Sequence, residues 1–173
     1  MREDLEVRNT EMADLAVIFD LFEHSVKYQE ERGYPVWKTY DKDAIVRAIG
    51  SKNQYKVLVD HKIAIVFSVC YNDEVIWRSL EKGDAMYLHR MVVNPEFKGR
   101  RLFGVIVRWA MDHCRQRGLW KIRMDTWAVN PSIITYYKGF GFQFVENYTT
   151  PDSIQLPMHN RTLALTLLEC KID

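Results

Sequence analysis

A change of hydrophobic period at Asn94-Pro95 constrains this chain more than any other feature. Before it, Met86–Val93 reads as a strand, and proline closes it because proline cannot donate to a sheet ladder. After it, Leu102, Phe103, Ile106, Trp109, Ala110 and Cys114 follow a 3.6-residue period across Lys98–Arg117, and Gly118 ends that helix. Trp120–Trp127 then alternates as a second strand. Pro131 opens a short helix to Phe140, Phe142–Val145 is strand-like, and Thr162–Leu168 makes a last strand.

Upstream, a short extended start (Leu5–Arg8) precedes Thr10, which reads as the cap of a helix carrying Leu15, Ile18, Phe19, Phe22 and Val26. The stretch from Tyr28 to Trp37 breaks that period with Gly33 and Pro35, and Asp41 caps a second helix reaching Ile49. Tyr55–Val59 and Ile63–Tyr71 meet across Asp60-His61-Lys62 as a hairpin. Hairpins early and β-α-β-α-β later give an α/β (α+β mixed) class: one central mixed sheet flanked by helices. At 173 residues one domain, 1–173, is expected. With 47% hydrophobic residues such a chain holds a core without disulfides or metal, burying about 70% of its unfolded surface.

The formal charge of +1 argues against a protein that coats nucleic acid. The start is acidic, and the longest apolar run, Ile63–Cys70, is far short of the roughly 20 residues of a membrane helix, so neither a signal peptide nor a membrane partner is expected. Cys70, Cys114 and Cys170 are odd in number and sit in or beside apolar runs, which suits thiols in a reducing, cytoplasmic setting. His24, His61, His113 and His159 have no spacing that joins them to a cysteine or carboxylate cluster, so no metal is expected.

The neutral total hides a dipole. Lys98–Arg123 holds eight basic residues against Asp112, a local +7, while residues 1–31 hold nine acids against three bases, a local −6. Arg108, Arg115 and Arg117 read as a solvated helix face. Lys98, Arg100 and Arg101 differ because they stand where a helix begins, beside Gly99 and Gly104. Unpaired N–H groups, the helix dipole and glycine's small size make such a turn a phosphate site. Neither G-x-x-x-x-G-K-[ST] nor G-x-G-x-x-G is present, so nucleotide hydrolysis and hydride transfer drop out.

A strand ending in Val92-Val93-Asn94-Pro95, a basic glycine-bearing turn and a long helix resemble the GNAT superfamily of acyl-CoA-dependent N-acetyltransferases. The family's phosphate turn reads roughly [Q/R]-x-x-G-x-[G/A], and here it is Lys98-Gly99-Arg100-Arg101-Leu102-Phe103. Arg101 thus occupies the central glycine position and Phe103 that of the last small residue. A second family pattern, Asn, Tyr seven residues on, then Gly-Phe, is matched by Asn130, Tyr137, Gly141 and Phe142. The resemblance covers about Met86–Val145. It implies a single GNAT-like domain with a central sheet of about six to seven strands flanked by about four helices, and a homodimer is compatible with it.

The resemblance also implies a reaction: acetyl passes from the co-substrate acetyl-CoA to a primary amine, small molecule or peptide, by direct attack in a ternary complex. Lys98 to Gly104 would take the pyrophosphate. The backbone around Met91, Val92 and Val93 would pair with the pantetheine arm and polarise the thioester carbonyl. Asn130 and Ile133 join the cofactor set, Asn130 bonding pantetheine or capping its helix. Tyr137 would be the general acid, with Tyr136 structural. Strand alternation puts Tyr87, His89, Met91 and Val93 on one face; His89 is there either a base acting through water or a structural histidine. Tyr34 and Trp37 lie where the family shapes its acceptor pocket.

A non-catalytic acyl-CoA-binding or sensing module would use the same turn without turnover. A basic-helix nucleic-acid binder would need stacking aromatics beside the Lys98–Arg123 patch. A free amino acid, a polyamine, an aminoglycoside or a protein terminus would all fit as acceptor.

Overall fold

In the computed structural model, which describes residues 4–35 and 40–173, Asp60 and His61 both take left-handed backbone angles, φ 46° and 68°. A two-residue hairpin needs that geometry if its strands are to keep their right-handed twist. Strands β2 (Gln54–Val59) and β3 (Lys62–Cys70) accordingly pair antiparallel, as the sequence predicts, and β1 (Leu5–Asn9) pairs antiparallel with β2. The chain divides into two units, Met1–Val69 with His89–Trp109 and Cys70–Leu88 with Ala110–Asp173. Strand β4 (Ala85–Val93) runs through both. The strand order is β1-β2-β3-β4-β5-β7-β6, a mixed seven-stranded sheet.

In the first unit, helices α1 (Leu15–Glu31) and α2 (Lys42–Gly50) bury Ile18, Leu21, Phe22, Ile45 and Ile49 against Val66 and Val92. Each such side chain contributes about 1.5–3 kcal/mol by leaving water. Side chains alternate along β3, so Phe67 faces the other way, where Tyr55 and Trp109 close on it at ring separations of 5.6 and 5.3 Å. Asp41 caps α2 as expected, accepting from the Ala44 N–H at 2.9 Å.

Thr10 does not cap α1. Its hydroxyl and its N–H both donate to the Gln54 carbonyl, at 3.2 and 3.0 Å, which ties the chain entering α1 to β2. A short 3₁₀ turn, Met12–Asp14, intervenes, and the Asp14 carboxylate accepts from the Glu11 N–H at 2.7 Å. The helix also continues past Val26 to Glu31, because the next inward position is Gln29, which is polar yet buried. A count of apolar residues stops too early there.

In the second unit, β4 and β5 (Lys121–Trp127) pair in parallel over Ala85–Tyr87 and Lys121–Arg123. Strand β7 (Ala164–Lys171) pairs antiparallel with β5 on one side and with β6 (Gln143–Thr149) on the other. A one-turn helix, α3 (Glu74–Trp77), has no counterpart in the sequence reading, since four residues show no period. The Asp73 side chain caps it, accepting from the Ile76 N–H at 3.3 Å, and Trp77 ends it fully buried against Tyr87. With α4 (Phe103–Arg117) and α5 (Pro131–Lys138) the described residues hold five α-helices.

The basic run is not one surface. Arg123 is 3% exposed: it donates to Glu169 at 2.8 Å, to the Leu80 carbonyl at 2.9 Å and to the Tyr87 hydroxyl at 3.0 Å. Lys121 pairs with Asp84 at 2.9 Å and Arg115 with Asp112 at 3.0 Å, while Arg117 lies over the Tyr71 ring. Lys98, Arg100 and Arg101 are exposed and fall together in the turn that precedes α4.

Candidate active site

Helix α4 begins at Phe103, later than the periodicity from Lys98 suggests, and Lys98–Leu102 form a turn ahead of it. Gly99 has φ 82° and Arg101 φ 53°. Arg101, standing where the family places a glycine, adopts a glycine's backbone conformation. The Lys98 and Arg100 N–H groups are spent on the Pro95 and Phe97 carbonyls, at 3.2 and 3.3 Å, so an anion at this turn is met by its exposed side chains and by the N–H groups that remain. A Cβ on Gly99 would meet no atom within 4 Å, so this glycine serves backbone angle and open space, not packing. The helix closes its first turn through Gly104 N–H to Arg101 O at 3.3 Å and Val105 N–H to Leu102 O at 2.9 Å.

The turn's donor set fits a polyanion. Lys98, Gly99, Arg100 and Arg101 are exposed, and Lys98–Gly104 contains no carboxylate. Leu102 and Phe103 are buried, which leaves only their backbone for a ligand.

On β4, Arg90 has φ 49°, a left-handed residue inside a strand, so the backbone is irregular between His89 and Met91. Tyr87 is wholly buried, His89 and Met91 are half-buried, Val92 packs into the α1/α2 core, and Val93 is exposed.

In the second unit the four residues of the later pattern have separate tasks. Asn130 caps α5, its side-chain oxygen accepting from the Ile133 N–H at 3.2 Å. Gly141, at φ 96°, makes the turn into β6, where a Cβ would lie 3.6 Å from the Cys170 sulfur. Phe142 is buried, with its ring centroid 6.5 Å from that of Tyr137. Tyr137 also meets Tyr136 edge-on at 5.6 Å.

Tyr137 is half-buried, and desolvation of its phenol raises its pKa above the ordinary value of 10. The neighbouring Tyr136 and Asp125 push in the same direction. The phenol therefore stays protonated through the physiological range. Asp125, on β5, is a neighbour the sequence reading missed; an acid between Met124 and Thr126 in an otherwise apolar strand end was the available sign.

Tyr34 is half-buried, its N–H donating to the Gln29 carbonyl at 3.0 Å just past α1. Trp37 lies outside the described residues. Burial pushes the Cys114 thiol up to about 11 and raises Cys170 as well, so neither offers a thiolate at neutral pH.

Residues 3–142 match the model of the acetyltransferase (GNAT) family. The chain belongs to the GNAT acetyltransferase family. An uncharacterised N-acetyltransferase of Bacillus subtilis is 23% identical over 140 residues, 76% of this chain and 78% of the relative. A GNAT acetyltransferase structure from Listeria monocytogenes matches with TM-score 0.78 at 19% identity, covering 99% of this chain and 100% of its own. The acetyltransferase yncA of Salmonella typhimurium, solved with its cofactor acetyl-CoA, matches with TM-score 0.68 at 17% identity over 98% of this chain and 94% of that one. As a GNAT acetyltransferase, the chain shows the family's mixed sheet with the basic turn at the head of its long helix.

Proposed function

We propose that this protein is an N-acetyltransferase that moves acetyl from acetyl-CoA to a primary amine by direct attack in a ternary complex. The observation that carries this reading is the Lys98–Leu102 turn, where Gly99 and Arg101 hold left-handed angles beside exposed cations. Family membership and the Salmonella relative's bound acetyl-CoA support the same co-substrate. Because β4 is a single strand shared by both units, we read residues 1–173 as one catalytic domain. The three free cysteines favour a reducing, cytoplasmic setting.

The co-substrate supplies an activated thioester; the protein's residues supply the rest. Lys98, Gly99, Arg100 and Arg101, with the N–H groups of Leu102 and Phe103, hold the pyrophosphate, and Gly104, whose N–H is spent on the Arg101 carbonyl, offers only its small size beside it. The backbone of Met91, Val92 and Val93, beyond the left-handed Arg90, pairs with the pantetheine arm and polarises the carbonyl. Asn130 spends its side-chain oxygen on the cap, so its amide N–H groups are what it can offer the arm.

The amine nitrogen bonds to the carbonyl carbon as the carbon–sulfur bond breaks. His89 takes the amine's proton through water, and Tyr137 gives its proton to the departing sulfur and regains one from solvent. Covalent relay through Cys114 or Cys170 is disfavoured by their raised thiol pKa. Tyr34 is the described residue proposed to contact the acceptor.

The test is turnover. Purified protein with acetyl-CoA and a panel of amines (amino acids, polyamines, aminoglycosides, N-terminal peptides) should release free thiol with at least one acceptor. Binding of acetyl-CoA without thiol release across such a panel would favour a sensing module, and no binding at all would end the reading.

A further inference from the structure

The Tyr28 ring, near the end of α1, carries two cations from different parts of the chain. The Lys98 ammonium lies 3.9 Å from its centroid and the Arg32 guanidinium 5.1 Å from it. Arg32, the residue that caps the C-terminal end of α1, follows Tyr28 by four positions, and its N–H donates to the Tyr28 carbonyl at 3.2 Å. Lys98 comes from the turn ahead of α4, immediately before the left-handed Gly99. Tyr28 is 37% exposed, so core packing does not account for its position. Lys98, the first cation of the turn, is thus held against a ring on another element, which restricts its stem.

We infer that Tyr28 is a positioning residue for co-substrate binding, holding Lys98, with Arg32 on the same ring, for a phosphate group of coenzyme A. The inference rests on the phosphate-binding reading of the turn. Without the ring, Lys98 is a flexible stem that must be ordered when the phosphate arrives; with it, part of that ordering is already done. Arg32 adds a charge that no motif of the turn contains.

Calorimetric titration with coenzyme A and, separately, with 3′-dephospho-coenzyme A tests this on the wild type, Tyr28→Leu and Tyr28→Phe. The leucine variant should raise the coenzyme A Kd by about three- to tenfold, as the loss of two exposed cation–π contacts implies. The phenylalanine variant, which keeps the ring, should stay within about twofold on the same grounds. In turnover assays KM for acetyl-CoA should rise with Kd while kcat stays level. A leucine penalty that disappears with the dephospho compound assigns the ribose phosphate as the bound group, and one that persists assigns the pyrophosphate. In a Lys98→Met background the leucine penalty should shrink, since the pair acts as a unit.

Wild-type affinity in Tyr28→Leu overturns the inference. So does a Tyr28→Phe variant as weak as leucine, or a fall in kcat with Kd unchanged. Failure of the wild type itself to bind coenzyme A overturns the acetyltransferase reading, and this inference with it.

Discussion

The Arg123 guanidinium donates to the Tyr87 hydroxyl at 3.0 Å inside the second unit, with both residues almost fully buried. Tyr87 in turn donates to Glu81, whose carboxylate also accepts from the Asp73 and Gly83 N–H groups at 3.0 and 2.6 Å. Burial alone would raise the Glu81 pKa, but these donors outweigh it and hold the carboxyl below its ordinary value. Arg123 lies over the Trp77 ring as well, at 4.4 Å, so α3 and its following loop hang on this one cation. Arg123→Leu should therefore leave Glu169 and Glu81 without their counter-charge and cost about 3–5 kcal/mol. At roughly 2–4 °C per kcal/mol for this size, a thermal melt should drop by about 6–20 °C. A drop under about 3 °C would mean that the network contributes little beyond its packing.

Where the sequence could be read, the determinants are local. Asp41 caps α2 because a short carboxylate reaches an N–H three residues on, and Asp60-His61 makes a hairpin because so few residues separate two β-rich runs. The turn at Lys98–Leu102 and the Asn130-to-Phe142 pattern were legible for the same reason. Arg90 and Arg101 were not, because a left-handed arginine is fixed by the strand or turn around it and not by its own preference. Arg123 looked like one more cation in a basic run; only the partners brought to it by β4 and β7 make it structural. Trp77 and α3 were hidden by shortness, and the reach of α1 to Glu31 by a buried glutamine.

His113 gives a pH dependence to stability. Its Nε2 lies 2.7 Å from the Tyr71 hydroxyl and accepts from Arg117 Nε at 2.9 Å; burial first, and then the Arg117 charge, lower its pKa below 6.5. The unfolded chain thus takes up this proton at a higher pH than the folded one does, so the contribution is complete above the unfolded value of about 6.5 and is lost as pH falls from there through the folded value. Melting temperatures measured from pH 7.5 down to pH 5 should decline, and His113→Gln should flatten part of that decline. An equal slope in the variant would assign the decline to other groups.

The backbone of the phosphate turn predicts opposite signs for two substitutions. Gly99→Ala puts a side chain at φ 82°, which costs about 1–2 kcal/mol, and coenzyme A should bind more weakly as the turn shifts. Arg101→Gly relieves a left-handed arginine but loosens the unfolded chain by about 0.5–1 kcal/mol, so stability should hold or rise by no more than about 1 kcal/mol. Affinity for coenzyme A should nonetheless fall in Arg101→Gly, and fall less steeply with added salt, because an exposed cation is gone. Melting curves with calorimetry at two salt concentrations check both. A clear loss of stability in Arg101→Gly would show that the arginine side chain, not the backbone, holds the turn.

Tyr137→Phe separates a proton donor from a packing residue. The ring keeps its contacts with Tyr136 and Phe142, so fold and coenzyme A affinity should survive the loss of one hydroxyl. A donor placed for the leaving sulfur contributes about 10²–10⁴-fold to kcat, or roughly 3–5 kcal/mol of barrier. A ground-state hydrogen bond is worth only about 0.5–1.5 kcal/mol, so the two accounts differ by far more than the error of a rate. The expected result is a fall in kcat of at least about a hundredfold at saturating acceptor. Desolvation also holds the wild-type phenol protonated beyond its ordinary value of 10, so an alkaline fall in kcat between pH 8 and 10 should not come from Tyr137. If Tyr137→Phe loses less than about tenfold while the chemical step limits turnover, water or another group protonates the sulfur, and the phenol serves the packing of α5.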